Sequence, residues 1–380
     1  MKGAGMDHAR QPDTGRSGDA DARGPANDGF LAEILEQPMA LRGAAEGLAD
    51  QQGGLEQVNE LAGSATGIVL TGMGSSFDAC LAVASVLTRG GVAATAVNTA
   101  ELLHFGIPAL TGATPVVAVS QSGTSVELVR LAERLASSSS RPPLVTVTNG
   151  ADNPLARLAD VTFDTRAGTE ESPSTKTFGA GLATLRALCG ALAPGGTFDA
   201  GATVQAAAAD AGRAAAAAER LLDDPDRLAG EMRAWCDERP SLVVLGRGTA
   251  RAAAEMGALL LKEAARRQAE SLDTAEFRHG PLELAGPELA VAVVSTEPAT
   301  AELDARLAAE LVADGASVMM IVAEGGPATA GASIVLEELH PLLAPAVAVI
   351  PLQLLAWRLA HEGGRDPGRL TRASKVTTTE

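Results

Sequence analysis

The amino-acid sequence predicts an α/β fold made of two tandem parallel-sheet domains. The predicted strands are continuous apolar runs, such as "VVAVS" (Val116–Ser120), which is typical of strands covered on both faces. Helix-like stretches lie between several of them, as the crossovers of parallel strands require. Two Gly-rich turns, "GMGSS" (72–76) and "GRGT" (246–249), each follow a strand and precede a helix. This repeat indicates a duplicated domain.

The first half is expected to begin near Phe30, because residues 1–29 are polar, rich in Gly, Asp and Arg, and expected to be disordered. The segment "FLAEILEQPMALRGAAEGL" has apolar residues at helical spacing, which Pro38 interrupts. The strand "GIVLTG" then leads into the first Gly-rich turn and a helix predicted from Asp78. Further strands are predicted at Val92–Val97, Val116–Ser120, Leu144–Thr148 and Val161–Phe163.

The second half repeats this order after an Ala-rich helix, Val204–Leu222, that is predicted to join the halves. A strand at Leu242–Gly246 precedes the second Gly-rich turn and a helix predicted to run from Ala250 to Arg267. Strands at Leu289–Ser295 and Ser317–Val322 follow, with a helix between them. The expected division is a first domain at 30–203, a second domain with the linker helix at 204–360, and a C-terminal tail at 361–380.

Composition excludes several classes of partner. Aromatic residues make up 2% of the chain, with no Tyr, which argues against base stacking on single-stranded nucleic acid. The formal net charge of −17 argues against DNA or RNA in general. An anionic substrate must therefore be held by a local site rather than by a general positive field.

Cysteine and histidine spacing predicts no structural metal. Cys80, Cys189 and Cys236 are scattered and odd in number, and the five histidines show no i, i+4 pairing. The turn "GMGSSF" also lacks the spacing of a dinucleotide-binding fingerprint. No uninterrupted apolar stretch reaches membrane-spanning length, and the N-terminus lacks the apolar segment of a secretory signal. A cytoplasmic location, with no membrane partner, is expected.

A cluster of hydroxyl side chains, "SQSGTS" (Ser120–Ser125), stands where a predicted strand ends and a helix begins. Ligands of open parallel sheets bind beyond the carboxyl ends of the strands, and N–H groups at a helix N-terminus attract anions. The hydroxyls of Ser76, Ser120, Ser122 and Ser125 would add neutral donors. Such a site could hold a phosphate without Lys or Arg.

A purely structural interpretation remains open at this point. Thr124 and Glu127 fit a capping box, and Gly123 fits a turn, although capping leaves Ser120, Gln121 and Ser122 unexplained. The corresponding stretch of the second half reads "STEPAT" (295–300) and lacks the cluster. One functional site per chain, centred on the first half, is therefore expected.

Several motifs, in order along the chain, resemble those of sugar isomerase (SIS) proteins with two such domains. They resemble most the isomerase half of glucosamine-6-phosphate synthase and the SIS-type glucosamine-6-phosphate deaminases. The matching stretches after Phe30 include "EILEQPMALR", "GMGSS", "SQSGTS", "GTEESPSTKTF", "AEFRHGP", "PLQLLAWRLA" and "SKVTTTE". The resemblance implies two tandem doubly wound, flavodoxin-like SIS domains, followed by a tail that closes the active site.

The resemblance also implies roles for individual residues. The sugar phosphate would be bound by Ser76, Ser120, Gln121, Ser122 and Ser125, and the sugar would lie along Ser75 and Ser174. Glu263 would move a proton between C1 and C2, and Lys375 would contact the open-chain sugar. His279 would open the sugar ring from the neighbouring subunit, which implies a homodimer. No metal or organic cofactor is implied.

Taken singly, Glu263, His279 and Lys375 fit solvated surface charges or turn residues. Their joint presence favours an enzyme over a non-catalytic sugar-phosphate sensor. The expected reaction converts glucosamine 6-phosphate to fructose 6-phosphate and ammonia. The alternatives are an aminating subunit fed ammonia by a separate glutaminase, and a deglycase acting on sugar–amine adducts.

Three departures from the family pattern bear on the substrate. No early Cys is present, so this chain is not expected to hydrolyse glutamine. Leu260 stands where a Lys is expected, which would remove a cation from the sugar end of the site. The loop at 172–174 is about one residue shorter than in the family and carries Pro173.

Overall fold

The computed structural model describes residues 28–193 and 197–377, which fold into two sheets flanked by helices. The strands are β1 (Ile68–Gly72), β2 (Ala94–Asn98), β3 (Val116–Ser120), β4 (Leu144–Thr148), β5 (Val161–Asp164), β6 (Ser241–Gly246), β7 (Ala269–Asp273), β8 (Leu289–Ser295), β9 (Ser317–Ala323) and β10 (Ala332–Leu336). The α-helices are α1 (Gly29–Leu35), α2 (Gln37–Gly47), α3 (Gln52–Ala62), α4 (Ser75–Arg89), α5 (Thr99–Glu101), α6 (Val126–Ala136), α7 (Lys176–Leu192), α8 (Ala200–Leu221), α9 (Pro225–Cys236), α10 (Ala250–Glu263), α11 (Thr274–Phe277), α12 (Ala301–Ala313), α13 (Ala344–Ala348) and α14 (Ile350–Glu362). Shorter helical turns cover Leu48–Gln51, Leu102–Gly106, Ile107–Ala109, Ala156–Leu158 and Pro281–Leu284.

The two five-stranded sheets have the same topology. The first has the order β2-β1-β3-β4-β5, and the second, read from its other edge, has the order β7-β6-β8-β9-β10. The pairings in both sheets are parallel; Leu70 of β1, for example, lies between Ala96 of β2 and Val117 of β3. This is the flavodoxin-like order, with a topological switch point between the first and third strands of each sheet. The structure confirms the predicted pair of doubly wound α/β units.

The sequence prediction missed two strands, β7 and β10, and both lie at sheet edges. The β10 sequence "ASIVL" is mostly exposed, and the β7 sequence "AESLD" is buried only at Ala269. Edge strands such as these lack the continuous apolar run by which the central strands were recognised.

Several helix ends also differ from the prediction. The linker helix α8 begins at Ala200 rather than Val204, where Asp199 caps it by accepting the N–H of Ala202. Helix α4 begins at Ser75, directly after the Gly-rich turn, rather than at Asp78. Helix α10 ends at Glu263 rather than Arg267, because Arg266 adopts a left-handed conformation with φ of 52°. The N–H of Arg267 then bonds to the carbonyl of Leu261 at 2.9 Å, which closes the helix end.

Helix packing joins the halves around one core. The Ala-rich helix α8 packs against α2 and α7, and α10 of the second half packs against α4 of the first. Buried Ala side chains, among them Ala79 and Ala82 on α4 and Ala254 and Ala258 on α10, belong to the same hydrophobic cluster. The α4–α10 contact brings the end of α10 towards the first Gly-rich turn.

Helices α13 and α14 together cover Ala344–Glu362, a stretch long and apolar enough to cross a membrane. However, 89% of its most apolar window is buried inside the fold. Its residues Val347, Leu352 and Leu355 belong to the main hydrophobic cluster, so burial in the core accounts for its composition.

The predicted disordered segment, 1–29, lies outside the described residues except for its last two. Asp28 caps α1, because its Oδ1 accepts the N–H groups of Phe30 and Leu31 at 3.0 and 3.2 Å. Its Oδ2 accepts the indole N–H of Trp357 at 2.6 Å. Asp28 therefore fixes α1 against α14.

Candidate active site

The candidate site is a cavity of about 230 Å³ at the switch point of the first sheet. Strand β1 ends at Gly72 and leads through the first Gly-rich turn into α4, while β3 ends at Ser120 and leads into α6. Nine of the residues proposed from sequence line the cavity, namely Ser75, Ser76, Ser120, Gln121, Ser122, Ser125, Ser174, Glu263 and Lys375. The structure thus brings together side chains that are up to 300 residues apart in sequence.

The hydroxyl loop is held by bonds within itself. The Ser120 hydroxyl accepts the N–H of Gly123 at 3.1 Å, and the Ser122 hydroxyl accepts the N–H and hydroxyl of Thr124 at 3.2 and 2.9 Å. Gly123 has φ of +62°, and an added Cβ would lie 2.0 Å from the Asn153 side chain, so only glycine fits there.

The capping-box interpretation of this loop is wrong. Helix α6 begins at Val126 with Ser125 as its N-cap, and the Ser125 side chain makes no capping hydrogen bond. The N–H of Val126 instead donates to the carbonyl of Thr377, at 3.1 Å, in the C-terminal tail. The tail therefore packs directly on the helix terminus next to the hydroxyl loop.

Glu263 is the last residue of α10 and lines the cavity, half-buried. Burial raises the pKa of its carboxyl, while the positive charges of Lys262 and Lys375 lower it; the net effect is a raised pKa. A carboxyl with a raised pKa is a stronger base once ionised, and is suited to exchanging protons near neutral pH.

Lys375, in the tail, is held by contacts to the loop that precedes α7, residues 170–175. Its Nζ donates to Glu170 Oε2 at 3.0 Å and to the carbonyl of Ser172 at 2.5 Å. The fully buried Glu170 carboxylate also accepts the N–H groups of Thr175 and Thr177, at 2.8 and 3.1 Å. Glu170 therefore organises the loop and anchors the lysine.

The shortened loop still presents Ser174 to the cavity, with its hydroxyl 3.0 Å from that of Thr177. Leu260 is fully buried in the core rather than lining the cavity. Leu259 lines it instead, four residues before Glu263 and therefore on the same helix face. The leucine of α10 that lines the cavity is therefore Leu259, not Leu260.

His279 is the one proposed site residue that does not line this cavity. It is exposed, follows α11 in the second half, and borders a separate cavity of about 390 Å³ with Arg247, Arg278 and Arg306. Within one chain it does not meet Glu263 across the cavity.

Sequence reasoning missed Glu170, Ser172, Leu259 and Thr377 as cavity residues. Glu170 and Ser172 lie inside the motif "GTEESPSTK", and Thr377 lies inside "SKVTTTE", so position in a motif was the available signal. Among the described residues, no group of three or more His, Cys, Asp and Glu side chains is arranged to hold a metal ion.

Comparisons with known proteins match both halves of the chain. Residues 61–191 and 237–362 match the SIS domain. A glutamine–fructose-6-phosphate aminotransferase (isomerizing) of Pyrobaculum aerophilum is 30% identical over 92% of this chain and 57% of its own length. A relative of the same name from Halobacterium salinarum is 31% identical over 96% of this chain and 61% of its own length. The chain thus spans about three fifths of these relatives.

Solved structures show the same fold. The C-terminal domain of glucosamine-fructose-6-phosphate aminotransferase from Francisella tularensis superposes with a TM-score of 0.79 at 23% identity, covering 93% of this chain and all of that domain. A putative phosphosugar isomerase from Silicibacter pomeroyi gives 0.72 at 27% identity, covering 90% of this chain and 99% of the other. On the match of both its halves, this chain belongs to the SIS domain family.

Proposed function

We propose that this chain is an amino-sugar-phosphate isomerase and deaminase that converts glucosamine 6-phosphate and water to fructose 6-phosphate and ammonia. The observation that carries the proposal is the cavity in which a hydroxyl loop, a carboxyl with a raised pKa and a tail lysine meet. The hydroxyl loop supplies an anion site, the carboxyl a proton carrier and the lysine a cation. An anion site and a carboxylate that can take and return a proton suit the aldose–ketose interconversion of a sugar phosphate.

In this proposal the phosphate lies against the hydroxyls of Ser76, Ser120, Ser122 and Ser125 and the amide of Gln121. These groups stand where β1 and β3 end and α4 and α6 begin, so the helix dipoles favour an anion there. The phosphate is bound equally in the ground state and the transition state, so this part of the site lowers KM but does not raise kcat.

Proton transfer is assigned to Glu263. In the open-chain sugar, ionised Glu263 removes the proton from C2 and returns it to C1, while a second proton passes from the C2 amino group to the C1 oxygen. The aldehyde and amine thus become a hydroxymethyl group and a C2 imine. Water then adds to C2, and ammonia leaves with the C–N electron pair. One carboxylate serves both carbons because they are adjacent.

Lys375 and Ser174 are assigned to positioning the open-chain sugar. The tail that carries Lys375 contacts the α6 terminus through Thr377 and covers the cavity. A covered cavity excludes water from the reacting carbons until the imine has formed. The proposed division places phosphate binding in residues 30–203, Glu263 in 204–360 and the cover in 361–380.

Ring opening is assigned to His279 of a second copy in a homodimer, because His279 is exposed and away from the cavity of its own chain. Mixing two inactive variants, Glu263→Gln and His279→Asn, tests this. Subunit exchange should restore part of the activity, since some sites would combine an intact Glu263 with an intact His279. A fully active monomer in sedimentation would refute it.

The reverse direction is the second candidate, and the similar aminotransferases favour it. The same residues would then form glucosamine 6-phosphate from fructose 6-phosphate and ammonia, which a separate glutaminase would supply. Turnover of fructose 6-phosphate with ammonium, compared with ammonia release from glucosamine 6-phosphate, distinguishes the two directions.

The test of the proposed function is incubation with a panel of amino-sugar 6-phosphates, with ammonia release as the measurement. Glucosamine 6-phosphate should give the fastest release. In deuterated water, the fructose 6-phosphate formed should carry deuterium at C1. Binding of sugar phosphates without exchange of any carbon-bound proton would instead indicate a sensor.

A further inference from the structure

A second buried carboxylate, Glu33, lies behind the loop that holds Lys375. Glu33 belongs to α1 and is 8% exposed. Its Oε1 accepts the N–H of Glu171 at 2.6 Å, and its Oε2 accepts the N–H of Ser172 at 3.2 Å. Glu33 thus fixes two consecutive peptide groups of the loop.

Ser172 connects Glu33 to Lys375. It is 4% exposed; its N–H donates to Glu33, and its carbonyl accepts Lys375 Nζ. The N–H belongs to the peptide group before the Ser172 Cα, and the carbonyl belongs to the peptide group after it. Holding the first therefore restricts the orientation of the second. Of the two acceptors that hold the lysine, Glu170 is fixed by the loop's own N–H groups, and Ser172 is fixed by Glu33.

The element that carries Glu33 is more firmly fixed than the tail. Helix α1 is tied to α14 through Asp28, whereas residues 363–377 form no helix or strand. A tail without regular structure has many conformations to lose on ordering, so side-chain anchors decide where its lysine stands. Glu33 supplies such an anchor from the rigid side of the cavity.

Burial also distinguishes Glu33 from an ordinary capping residue. Burial raises the pKa of its carboxyl, and the nearby Glu170 raises it further. The N–H of Glu171, Ser172 and the charge of Lys375 offset part of this, and the net effect is a raised pKa. A buried carboxylate beside another carboxylate is costly unless N–H donors and a cation compensate. Here the compensating groups are the loop and Lys375 themselves.

We infer that Glu33 is a positioning residue for Lys375, acting through the backbone of Ser172. The catalytic part of this inference rests on the proposed function, because it takes Lys375 to contact the sugar. The positional part does not. The two parts call for separate measurements.

The kinetic test is a double-mutant cycle on glucosamine 6-phosphate with Glu33→Ala, Lys375→Ala and the double variant. Glu33→Ala should lower kcat about tenfold, within the coupling seen between residues of one hydrogen-bond network, with KM changed less than about twofold. In the Lys375→Ala background it should have no further effect on kcat. Additive losses would overturn the inference, because they would indicate general damage to the fold.

Two variants serve as controls. Glu33→Gln keeps one oxygen acceptor for the loop, so its kcat should lie between those of wild type and Glu33→Ala. It also provides a second test if Glu33→Ala does not fold. Glu219→Ala removes a carboxylate of α8 that pairs with Arg42 of α2, and both side chains of this pair are exposed. It should leave kcat within about twofold of wild type, as expected for a surface ion pair.

The positional test needs no activity. The chain has four lysines, so acetylation of each by an activated acetate ester can be followed by mass spectrometry. Exposed Lys262 is an internal standard. Lys375, held by Glu170 and Ser172, should react more slowly than Lys262, and Glu33→Ala should raise its relative rate severalfold.

The two tests separate the possible failures. If wild type releases no ammonia, the proposed function fails, but the acetylation ratio still decides the position of Lys375. If Lys375→Ala lowers kcat while Glu33→Ala leaves both kcat and the acetylation ratio unchanged, the inference about Glu33 is wrong and the proposed function stands.

Discussion

The two halves of the chain differ in what faces their Gly-rich turns. In the first half, the turn between β1 and α4 faces the hydroxyl loop across an open cavity. In the second half, the equivalent turn between β6 and α10 faces the carboxylate of Glu297. Glu297 Oε1 accepts the N–H and the hydroxyl of Thr249, at 3.0 and 2.5 Å. Its Oε2 accepts Arg89 at 2.8 Å, from the last turn of α4.

In the second half, the N–H and hydroxyl donors of the turn thus bind a carboxylate of the protein itself. Gly248 lies so close that an added Cβ would be 2.9 Å from Glu297 Oε1. Burial raises the pKa of Glu297, but bonds from Arg89 and Thr249 outweigh burial and hold it below its usual value. The Glu297 carboxylate therefore occupies the crevice beside the second-half turn. The corresponding cavity of the first half is open, and the proposed phosphate site lies there.

The largest effect is expected at Glu263, the residue that the second half contributes to the first-half cavity. Glu263→Gln keeps the shape of the side chain but cannot carry a proton, so kcat should fall about 10²- to 10⁴-fold. Binding of inorganic phosphate, measured by calorimetry, should stay unchanged because Glu263 is not part of the hydroxyl loop. Normal turnover by this variant would show that Glu263 does not carry the proton and is only a charged residue at the end of α10.

The next effect compares hydroxyl groups of the two halves. Ser122→Ala in the first half removes a hydroxyl from the proposed phosphate site and should raise KM for glucosamine 6-phosphate about tenfold or more, as for a hydrogen bond to a charged group. Thr249→Val in the second half removes the hydroxyl that donates to Glu297 and should leave KM unchanged. An increase of KM in Thr249→Val alone would reverse the assignment of the halves.

A third effect concerns stability rather than activity. Glu297→Gln replaces the internal anion with a neutral amide and should lower the free energy of unfolding by about 1–3 kcal/mol, measured by urea denaturation at neutral pH, with KM unchanged. The lowered pKa of Glu297 means that its contribution is present above the usual pKa of a glutamate and is lost as the pH falls through the folded-state value. The difference between wild type and variant should therefore shrink at acidic pH.

The smallest effect is a shift in the pH profile. Because burial raises the pKa of Glu263, kcat/KM should fall, as the pH is lowered, at a higher pH than an ordinary glutamate would give. The charge of Lys375 lowers that pKa, so the residual activity of Lys375→Ala should fall at a still higher pH. Glu297→Gln should leave the profile in place, since Glu297 lies in the closed crevice.

The same contrast shows what the sequence can and cannot predict. Strands β3, β4 and β8 were predicted with their observed ends because each is a buried apolar run. The absence of a hydroxyl cluster in "STEPAT" also indicated that the second half lacks the site. That Glu297 fills the crevice was not predicted, because the partner of a lone acidic residue depends on tertiary packing.

The cavity itself shows a similar limit. Its hydroxyl loop and Glu263 could be proposed from motifs, since both stand at the ends of recognisable elements. The carbonyl of Ser172 could not, because a backbone group carries no sequence signal. The role of His279 stays a prediction, since it concerns a second copy of the chain.

The most direct measurement of the difference between the halves is a crystal structure of Glu263→Gln with glucosamine 6-phosphate, which should bind without turning over. The account predicts one sugar phosphate per chain, with its phosphate within hydrogen-bond distance of Ser120, Ser122 and Ser125, and with Glu297 still bonded to Thr249. A phosphate at the second-half turn, Gly246–Thr249, with the first-half cavity empty, would contradict it.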